Sequence, residues 1–303
     1  MMRHHDTDAS LDELARRAAE GDREALSALI RDLQHPMYRL ALRFLGHPDD
    51  AQDACQEILI RIMTRLGSFE GRSKFTTWAY TVAVRSLLRT RKRLVESSVQ
   101  GAEQFAAFLD AGLGEVDTTL EEVEYRLLCE EVRISCTYGM LLCLSRPQRA
   151  AYLLADVLGL PDTEGAQILG CTREAFRQRV SRARRTLRQV IDNRCGLIDP
   201  ANPCRCGRQI ASGEAAGILR RDHLPLARHP REEVRVWIEP VAKQLDAVVA
   251  LGDLYRFDRF AAPGELWEDL QARFPDLLTD VPDGARTPRH RRPGPWRAGR
   301  ARR

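Results

Sequence analysis

The fold is decided by the run Thr172-Arg173-Glu174-Ala175-Phe176-Arg177-Gln178-Arg179-Val180-Ser181-Arg182-Ala183-Arg184-Arg185-Thr186-Leu187-Arg188. Seven arginines and one acid fall between Arg173 and Arg188. The apolar residues of the run recur at helical spacing and form one stripe: Phe176, Val180, Ala183 and Leu187. Every arginine lies off that stripe. A helix that hides one face and displays a row of guanidinium groups is suited to phosphates and base edges, so the run predicts DNA binding.

A shorter helix precedes this run. Pro161 and Asp162 open it, Gly170 closes it, and Thr172 is a suitable N-cap for the arginine-rich helix. Two helices joined by so short a turn indicate a helix-turn-helix. The alternative is a charged helix exposed on an ordinary bundle, although such helices usually mix glutamate with arginine.

The composition limits the remaining possibilities. With 303 residues the chain has room for two or three small domains, and a net charge of only +4 means that basic character is concentrated locally. Eight scattered cysteines, a polar start and the lack of any run of ~18 apolar residues predict a cytoplasmic protein that does not span a membrane. No glycine-rich phosphate loop, nucleophile–base motif or clustered carboxylate pair occurs, so we do not expect an enzyme.

Composition and periodicity divide the chain into five segments and predict an all-α fold. Two small helical DNA-binding domains, residues 10–93 and 126–193, are joined by an acidic linker, residues 94–125, that contains no Lys or Arg. The second domain ends in the helix-turn-helix. A helical C-terminal extension is expected over residues 194–280, and a disordered basic tail over residues 281–303.

The first domain contains a helix with two contrasting sides. One side is a continuous apolar stripe, and Asp49, Asp53 and Glu57 stand together at i, i+4 and i+8 on the other. A solvated acidic face and a docking face for a basic partner are both consistent with this pattern. The stripe consists of Ala51, Ala54, Cys55, Ile58, Ile62 and Leu66.

A second helix of the first domain combines aromatic and basic residues. It begins with Phe75-Thr76-Thr77-Trp78 and runs into the basic stretch 89–93. Aromatic side chains beside arginines stack on unpaired bases in single-strand binding proteins. Phe75 and Trp78 share helical spacing with Val82, however, and are expected in the core. Tyr80 is therefore the better candidate for contact with DNA.

In this order the segments resemble the extracytoplasmic-function group of bacterial sigma factors. Asp50-Ala51-Gln52-Asp53-Ala54-Cys55-Gln56-Glu57 is similar to the family's segment that docks on RNA polymerase. The helix from Phe75 to Arg93 is similar to the segment that opens and reads the −10 promoter element, and residues 144–187 to the domain that reads the −35 element. The resemblance covers about residues 10–190. It departs at Val84 and Arg85, where the family often has Arg followed by Asn.

The resemblance implies partners and roles for individual residues. The acidic helix would meet the β′ clamp helices of core RNA polymerase, with the β flap as a second contact, and the linker would thread a polymerase channel. Extended, the linker reaches at most ~100 Å. The polymerase-binding residues are Asp49, Asp53, Gln56 and Glu57. Those for the −10 element are Tyr80, Arg85, Arg89, Arg91, Lys92 and Arg93. At the −35 element, Arg173, Arg177, Gln178, Ser181 and Arg182 lie at or near base edges, and Arg179, Arg184 and Arg185 grip phosphate.

The extension begins with three cysteines, Cys195, Cys204 and Cys206. A C-x-C pair with a third cysteine nearby is compatible with a zinc site, with His223 or His229 as the fourth ligand. The spacing matches no standard zinc module, so a redox-responsive thiol group and a purely structural turn are equally open. An amphipathic helix is expected further on, over residues 232–254.

The function predicted from these observations is a sigma factor that binds core polymerase and directs initiation by reading promoter DNA. The alternative is a conventional helix-turn-helix regulator, which would need a dimerisation or effector domain in its N-terminal half. We further expect the extension to pack on or near the arginine-rich helix and to restrain DNA binding, alone or beside an anti-sigma factor. Its acids would oppose the arginines: Glu232, Glu233, Glu239, Asp246, Asp253 and Asp258.

Overall fold

The computed structural model describes residues 3–91, 96–97, 99, 101–116, 119–229, 247–257 and 260–279. Lys92 and Arg93, most of the helix expected over residues 232–254 and the tail from residue 281 lie outside these ranges. Within them the chain forms helices and two isolated β-bridges, and no strand. The all-α fold expected from the sequence is confirmed.

The first domain consists of four helices whose ends follow from their sequences. Asp22 caps the second helix by accepting a hydrogen bond from the amide of Ala25 at 3.0 Å, and Gly46 ends it with φ 78°. Pro48 occupies the first turn of the third helix, where its missing N–H costs nothing. The helices are α1 (Arg3–Ala19), α2 (Arg23–Leu45), α3 (Pro48–Arg65) and α4 (Phe75–Arg89).

Among the residues that the structure describes, the linker and the second domain contribute five further helices. Linker helix α5 packs against the arginine-rich helix α9, so the linker is folded back on the second domain. A five-residue π-helical turn, Leu153–Val157, continues α7. The helices are α5 (Ala102–Ala111), α6 (Glu122–Leu142), α7 (Arg146–Tyr152), α8 (Asp162–Leu169) and α9 (Arg173–Ile191).

The described part of the extension contains short helices, with turns and isolated bridges over residues 194–205 and 216–229. A 3-10 turn, Cys206–Gln209, leads into α10 (Ile210–Ala215), and α11 (Ala247–Phe257) and α12 (Glu265–Arg273) follow. Most of the buried apolar side chains of both domains and of residues 251–278 belong to one continuous core. A second, smaller core lies between α6 and the start of the extension.

The helix-turn-helix is formed by α8 and α9, as the sequence predicts. Gly170 adopts φ 61° at the end of α8, and Thr172 caps α9 by accepting from the amide of Ala175 at 3.1 Å. The stripe of α9 is buried along its predicted length. A Cβ at Gly165 would lie 2.3 Å from the ring of Phe176, so a glycine on α8 is what allows a ring this large between the two helices.

The two domains pack against each other. Helix α4 lies on α8, and the Thr77 hydroxyl donates to the Glu164 carboxylate at 2.5 Å. At the opposite, C-terminal end of α4, Glu96, Arg146 and Arg149 form a largely buried cluster between the domains. Arg146 and Glu96 are 2.6 Å apart, and Arg149 and Glu96 are 3.2 Å apart.

The extension contacts both domains. Helix α11 packs on α9 and the π-helical turn, as expected of a segment near the arginine-rich helix. Residues 260–279 were not expected on the first domain, but they lie along α2 and α3, with Leu266 and Leu270 fully buried. Asp253, one of the acids expected to oppose those arginines, forms an i,i+3 ion pair with Arg256 at 2.5 Å. The other five acids lie outside the described residues.

Candidate polymerase and promoter interface

The acidic side of α3 is exposed, as a docking face requires. Asp49, Asp53 and Glu57 point to solvent, while the opposite stripe is buried in the first core. Glu57 forms an i,i+4 ion pair with Arg61. Gln56, at the edge of this face, accepts a hydrogen bond at 3.1 Å from Arg273 of α12. The C-terminal extension therefore reaches the border of the acidic face.

Of the two aromatic residues of α4 that the sequence predicts in the core, Phe75 lies there, but Trp78 is only partly buried. Phe75 is fully buried, and Tyr80 is half-buried. The ring of Trp78 packs 5.6 Å from Phe75 and 5.7 Å from Phe69, but it is half-exposed. It lines an open groove of about 170 Å³, which sequence reasoning missed because the groove is formed by the irregular loop before α4. The loop residues in the groove are Ser68, Phe69, Glu70, Arg72 and Ser73.

The basic residues expected at the −10 element follow this groove along α4. Arg85, Arg89 and Arg91 are exposed. The guanidinium of Arg85 comes within 3.9 Å of the position that a Cβ on Gly170 would take, so it lies beside the turn of the helix-turn-helix. The closed packing of the two domains thus brings the −10 and −35 candidate surfaces next to each other.

The arginine-rich face of α9 is exposed at almost every predicted position. Arg179 is half-buried, and the other predicted contacts are exposed: Arg173, Arg177, Gln178, Ser181, Arg182, Arg184 and Arg185.

Two acids that sequence reasoning did not single out hold arginines of this face. Asp162, at the start of α8, pairs with Arg173 at 3.2 Å and also with Arg177. Asp156, in the π-helical turn, pairs with Arg184 at 2.8 Å. Desolvation alone would raise the pKa of Asp162, but the bonds from Arg177 and Arg173 keep that pKa below its usual range. These carboxylates orient three of the candidate DNA contacts.

Comparisons with known proteins agree with this geometry. Residues 29–95 match the family model for Sigma-70 region 2, and residues 135–187 match Sigma-70, region 4. The chain is 30% identical over 185 residues to the ECF RNA polymerase sigma-E factor of Escherichia coli K12, a match that covers 60% of this chain and 92% of that protein. This chain is an extracytoplasmic-function sigma factor. It acts with RNA polymerase in promoter-specific transcription initiation.

Other relatives show the same coverage. The RNA polymerase sigma-H factor of Pseudomonas aeruginosa PAO1 is 28% identical over 182 residues, which are 59% of this sigma factor and 92% of that protein. A solved structure of CnrH in complex with the cytosolic domain of CnrY is 20% identical, with a TM-score of 0.43, and covers 60% of this chain and 97% of that chain. No described helix of the sigma factor is both long enough and apolar enough to cross a membrane.

The three cysteines at the start of the extension lie close together in the sigma factor. Cys195 and Cys204 face each other in an isolated parallel β-bridge, and Cys206 begins the following 3-10 turn. All eight cysteines of the chain are free thiols. As the side chains stand, no three potential ligands among the residues described surround a point that would hold a metal ion. His229, one of the two expected fourth ligands, lies against α2, where its Nε2 is 2.5 Å from the hydroxyl of Tyr38.

Proposed function

We propose that this sigma factor docks on the β′ clamp helices of core polymerase through the acidic face of α3, formed by Asp49, Asp53, Gln56 and Glu57. The observation that supports the proposal is the exposure of three carboxylates opposite a fully buried stripe. Carboxylates on a rigid helix suit arginine-rich partners, because charge-assisted hydrogen bonds add to the long-range attraction. The chain itself is proposed to supply no active site, so nucleotide addition belongs to the polymerase in the cytoplasm.

In the same proposal, α4 and the loop before it read the −10 element. The exposed side of Trp78 offers a stacking surface for an unpaired base, and Arg72 lines the same groove. Arg85, Arg89 and Arg91 extend from this groove along the exposed side and end of α4, where phosphates would be held. Tyr80 is half-buried, and its exposed edge would contact the DNA of the −10 element.

The arginine-rich face of α9 is proposed to read the −35 element. Arginine pairs bidentately with guanine and glutamine with adenine in the major groove. Asp162 fixes Arg173 and Arg177 near the N-terminal end of α9, the end that contacts base edges in helix-turn-helix proteins. Arg184 lies nearer to the C-terminal end, suited to phosphate.

The packed arrangement of the two domains is proposed to be a resting state. The −10 and −35 elements are about 25 base pairs apart, which is roughly 85 Å of B-DNA at about 3.4 Å per pair. Helices α4 and α8 are in direct contact, so one molecule in this arrangement does not reach both elements. The extended linker spans up to ~100 Å, enough to separate the domains once α5 leaves α9. Promoter recognition therefore requires opening, and a separate anti-sigma protein would favour the closed state.

Reversing two charges on α3 tests the docking face. Asp53→Lys with Glu57→Lys is expected to weaken binding to core polymerase by at least about tenfold, because like charges facing each other across an interface cost several kcal/mol. Binding would be measured by co-purification with core enzyme and by run-off transcription. Glu20→Lys, which reverses an exposed acid just after α1, is the matched control, and circular dichroism checks the helical content. If the double variant co-purified with core polymerase as well as wild type does, the acidic face of α3 would not be the docking surface.

Single arginine substitutions on α9 test the reading of the −35 element. Arg182→Ala is expected to cost about 1–3 kcal/mol on a cognate duplex and to relax discrimination at one base pair. Arg184→Ala is expected to weaken binding to all sequences alike and to reduce the slope of log affinity against log salt by about one. Fluorescence anisotropy on cognate and scrambled duplexes separates the two effects, with exposed Arg220→Ala as control. Wild-type affinity for both α9 variants would exclude this face.

A further inference from the structure

One carboxylate between the two helices of the helix-turn-helix holds two arginines of α9. The Nη2 atom of Arg173 donates to the two oxygens of Asp162 at 3.2 and 3.5 Å. Arg177 donates to the same carboxylate through Nε and pairs with it through Nη2 as well. The acid lies further inside than its partners, because its side chain is 25% exposed and those of Arg173 and Arg177 are 57% and 63% exposed. Asp162 therefore holds both guanidinium groups from the protein side.

The packing of the two helices puts the carboxylate in this place. Asp162 is the first residue of α8, and Gly165 lies on the same side of that helix, three residues further on. Gly165 faces the ring of Phe176, since a Cβ on this glycine would lie 2.3 Å from the ring. Arg173, Phe176 and Arg177 share one side of α9 at i, i+3 and i+4. The contact that sets the distance between the helices thus also sets the carboxylate beside both arginines.

Both arginines keep donors for DNA after this pairing. A guanidinium group carries five N–H donors in a planar fork. Arg177 uses its Nε and Nη2 atoms for Asp162, which leaves Nη1 and the second hydrogen of Nη2 on the other edge of the fork. Two donors in one plane match the O6 and N7 acceptors of guanine in the major groove. Arg173 uses Nη2 alone.

The two arginines lie one turn apart at the end of α9 that meets base edges. Arg173 is the first residue of α9, and Arg177 follows about 6 Å further along the helix axis. In helix-turn-helix proteins the N-terminal residues of the second helix contact the bases. Successive base pairs are about 3.4 Å apart, so the two guanidinium groups reach base pairs that are one or two steps apart.

An arginine that is held in place discriminates between bases better than a mobile one. A mobile side chain turns to the nearest phosphate, which carries no sequence information. It also loses rotamer freedom when it binds a base, and this loss weakens association. The carboxylate itself repels the phosphates of every sequence, and like charges of this kind suppress binding to wrong partners. Holding the arginines and repelling phosphate both favour specific over non-specific DNA.

We propose that Asp162 is a positioning residue that sets the specificity of α9 for the −35 element. It acts through Arg173 and Arg177, which it holds ready for guanines one or two base pairs apart. This inference rests on the proposed reading of the −35 element by α9. Because exposed ion pairs contribute little to folding, the carboxylate matters for DNA reading and not for stability.

The test measures how strongly the full-length chain prefers its own −35 sequence. Fluorescence anisotropy on a −35 duplex selected from a randomised library, and on a scrambled duplex, gives the ratio of the two affinities. Asp162→Ala should lower this ratio by about two- to tenfold, the penalty of ordering one rotamer-rich side chain on binding. The loss should be confined to one or two base pairs when each pair is substituted in turn. Asp162→Asn keeps an acceptor oxygen without the charge and should retain more of the ratio.

Glu174→Ala is the matched control. Glu174, like Asp162, is an acid in the first turn of its helix, but it has no ion pair within the part of the chain that the structure describes. Either substitution removes one negative charge near the DNA-reading end of α9. Both variants should therefore bind the scrambled duplex more tightly, whereas only Asp162→Ala should lower the ratio. Circular dichroism establishes that each variant is folded.

Three outcomes would overturn the positioning role. One is an unchanged ratio in Asp162→Ala, and another is an equal fall in Glu174→Ala, which would make the effect one of charge alone. The third is a fall that persists when Asp162→Ala is added to Arg173→Ala with Arg177→Ala, because the carboxylate would then act independently of both arginines. Arg182→Ala reports separately on α9. If that variant still lowers the ratio, the proposed reading of the −35 element stands and only the role of Asp162 fails.

Discussion

Replacing Arg149 by methionine is expected to lower the free energy of unfolding by about 3–5 kcal/mol, as removal of one partner from a buried ion pair does. The Arg149 side chain is 1% exposed. It donates to the carbonyls of Leu141 at 2.9 Å and Leu144 at 3.0 Å in the second domain, and to that of Phe44 at 2.5 Å in the first. Methionine fills a similar volume but leaves these carbonyls without their donor and leaves Glu96 paired with Arg146 alone.

Urea unfolding followed by circular dichroism measures this effect. Arg149→Lys is expected to recover little, because an ammonium does not reproduce the planar fork of the guanidinium. Burial lowers the pKa of Arg149 to about 10, with Glu96 acting against this shift, so the residue stays charged at neutral pH. A loss of less than about 1 kcal/mol, the size expected of an exposed pair, would mean that the cluster does not hold the domains together.

Glu96 determines how the stability difference between wild type and Arg149→Met depends on pH. Burial alone would raise its pKa, but Arg146 and Arg149 outweigh burial and hold the pKa below the usual value of 4.5. A carboxylate with a depressed pKa in the folded state contributes stability above its unfolded pKa and loses it as pH falls through the folded value. The stability difference between wild type and Arg149→Met should therefore shrink below about pH 4.5.

Local sequence rules predicted the parts of the interface that local rules govern. The stripe of α9 and its cap at Thr172 follow from helical periodicity and from the preference for hydroxyl side chains at helix starts. The exposed acids of α3 follow from the same periodicity. These features depend on neighbours three or four residues away, which a single sequence displays directly.

Contacts between distant segments were not predictable in this way. The pair Thr77–Glu164 is separated by 87 residues, and nothing in either helical pattern specifies the other. In the sequence Arg149 is one basic residue of a charged segment, and only its carbonyl partners in the structure reveal its role. Asp156 and Asp162 likewise gain their roles only when the turn between helices brings them to α9.

The position of residues 260–279 on the first domain was likewise not predictable from the sequence. This segment bears directly on polymerase binding. It runs along α2, where His35 accepts from the amide of Ala262 at 2.8 Å and the Arg31 guanidinium lies 4.1 Å from the centre of the Trp267 ring. It passes α3, where Arg273 reaches Gln56, and returns to α2, where the amide of Thr279 donates to Ser27 at 2.8 Å. The segment is therefore placed to hinder a partner that approaches the acidic face of α3.

Removing this segment is expected to increase the affinity of the sigma factor for core polymerase by at least about tenfold. That figure corresponds to a cover that is closed in about 90% of free molecules, because apparent affinity falls by the fraction of molecules able to bind. A chain truncated after Phe257 would be compared with the full-length protein by titration against labelled core enzyme. In the full-length chain, Leu266→Ala with Leu270→Ala should act in the same direction, since both side chains belong to the segment and are fully buried.

A chain truncated after Thr279 is the matched control, because it lacks only the basic tail and keeps every contact of the segment with α2 and α3. It should bind like the full-length protein, which separates the cover from any attraction between the tail and nucleic acid. Equal affinity for all three chains would show that the segment leaves the docking face accessible. Weaker binding after truncation at Phe257, with helical content retained, would instead make residues 260–279 part of the polymerase-binding surface. In either case Asp53→Lys with Glu57→Lys still reports on α3 itself, so failure of the cover and failure of the docking face remain distinguishable.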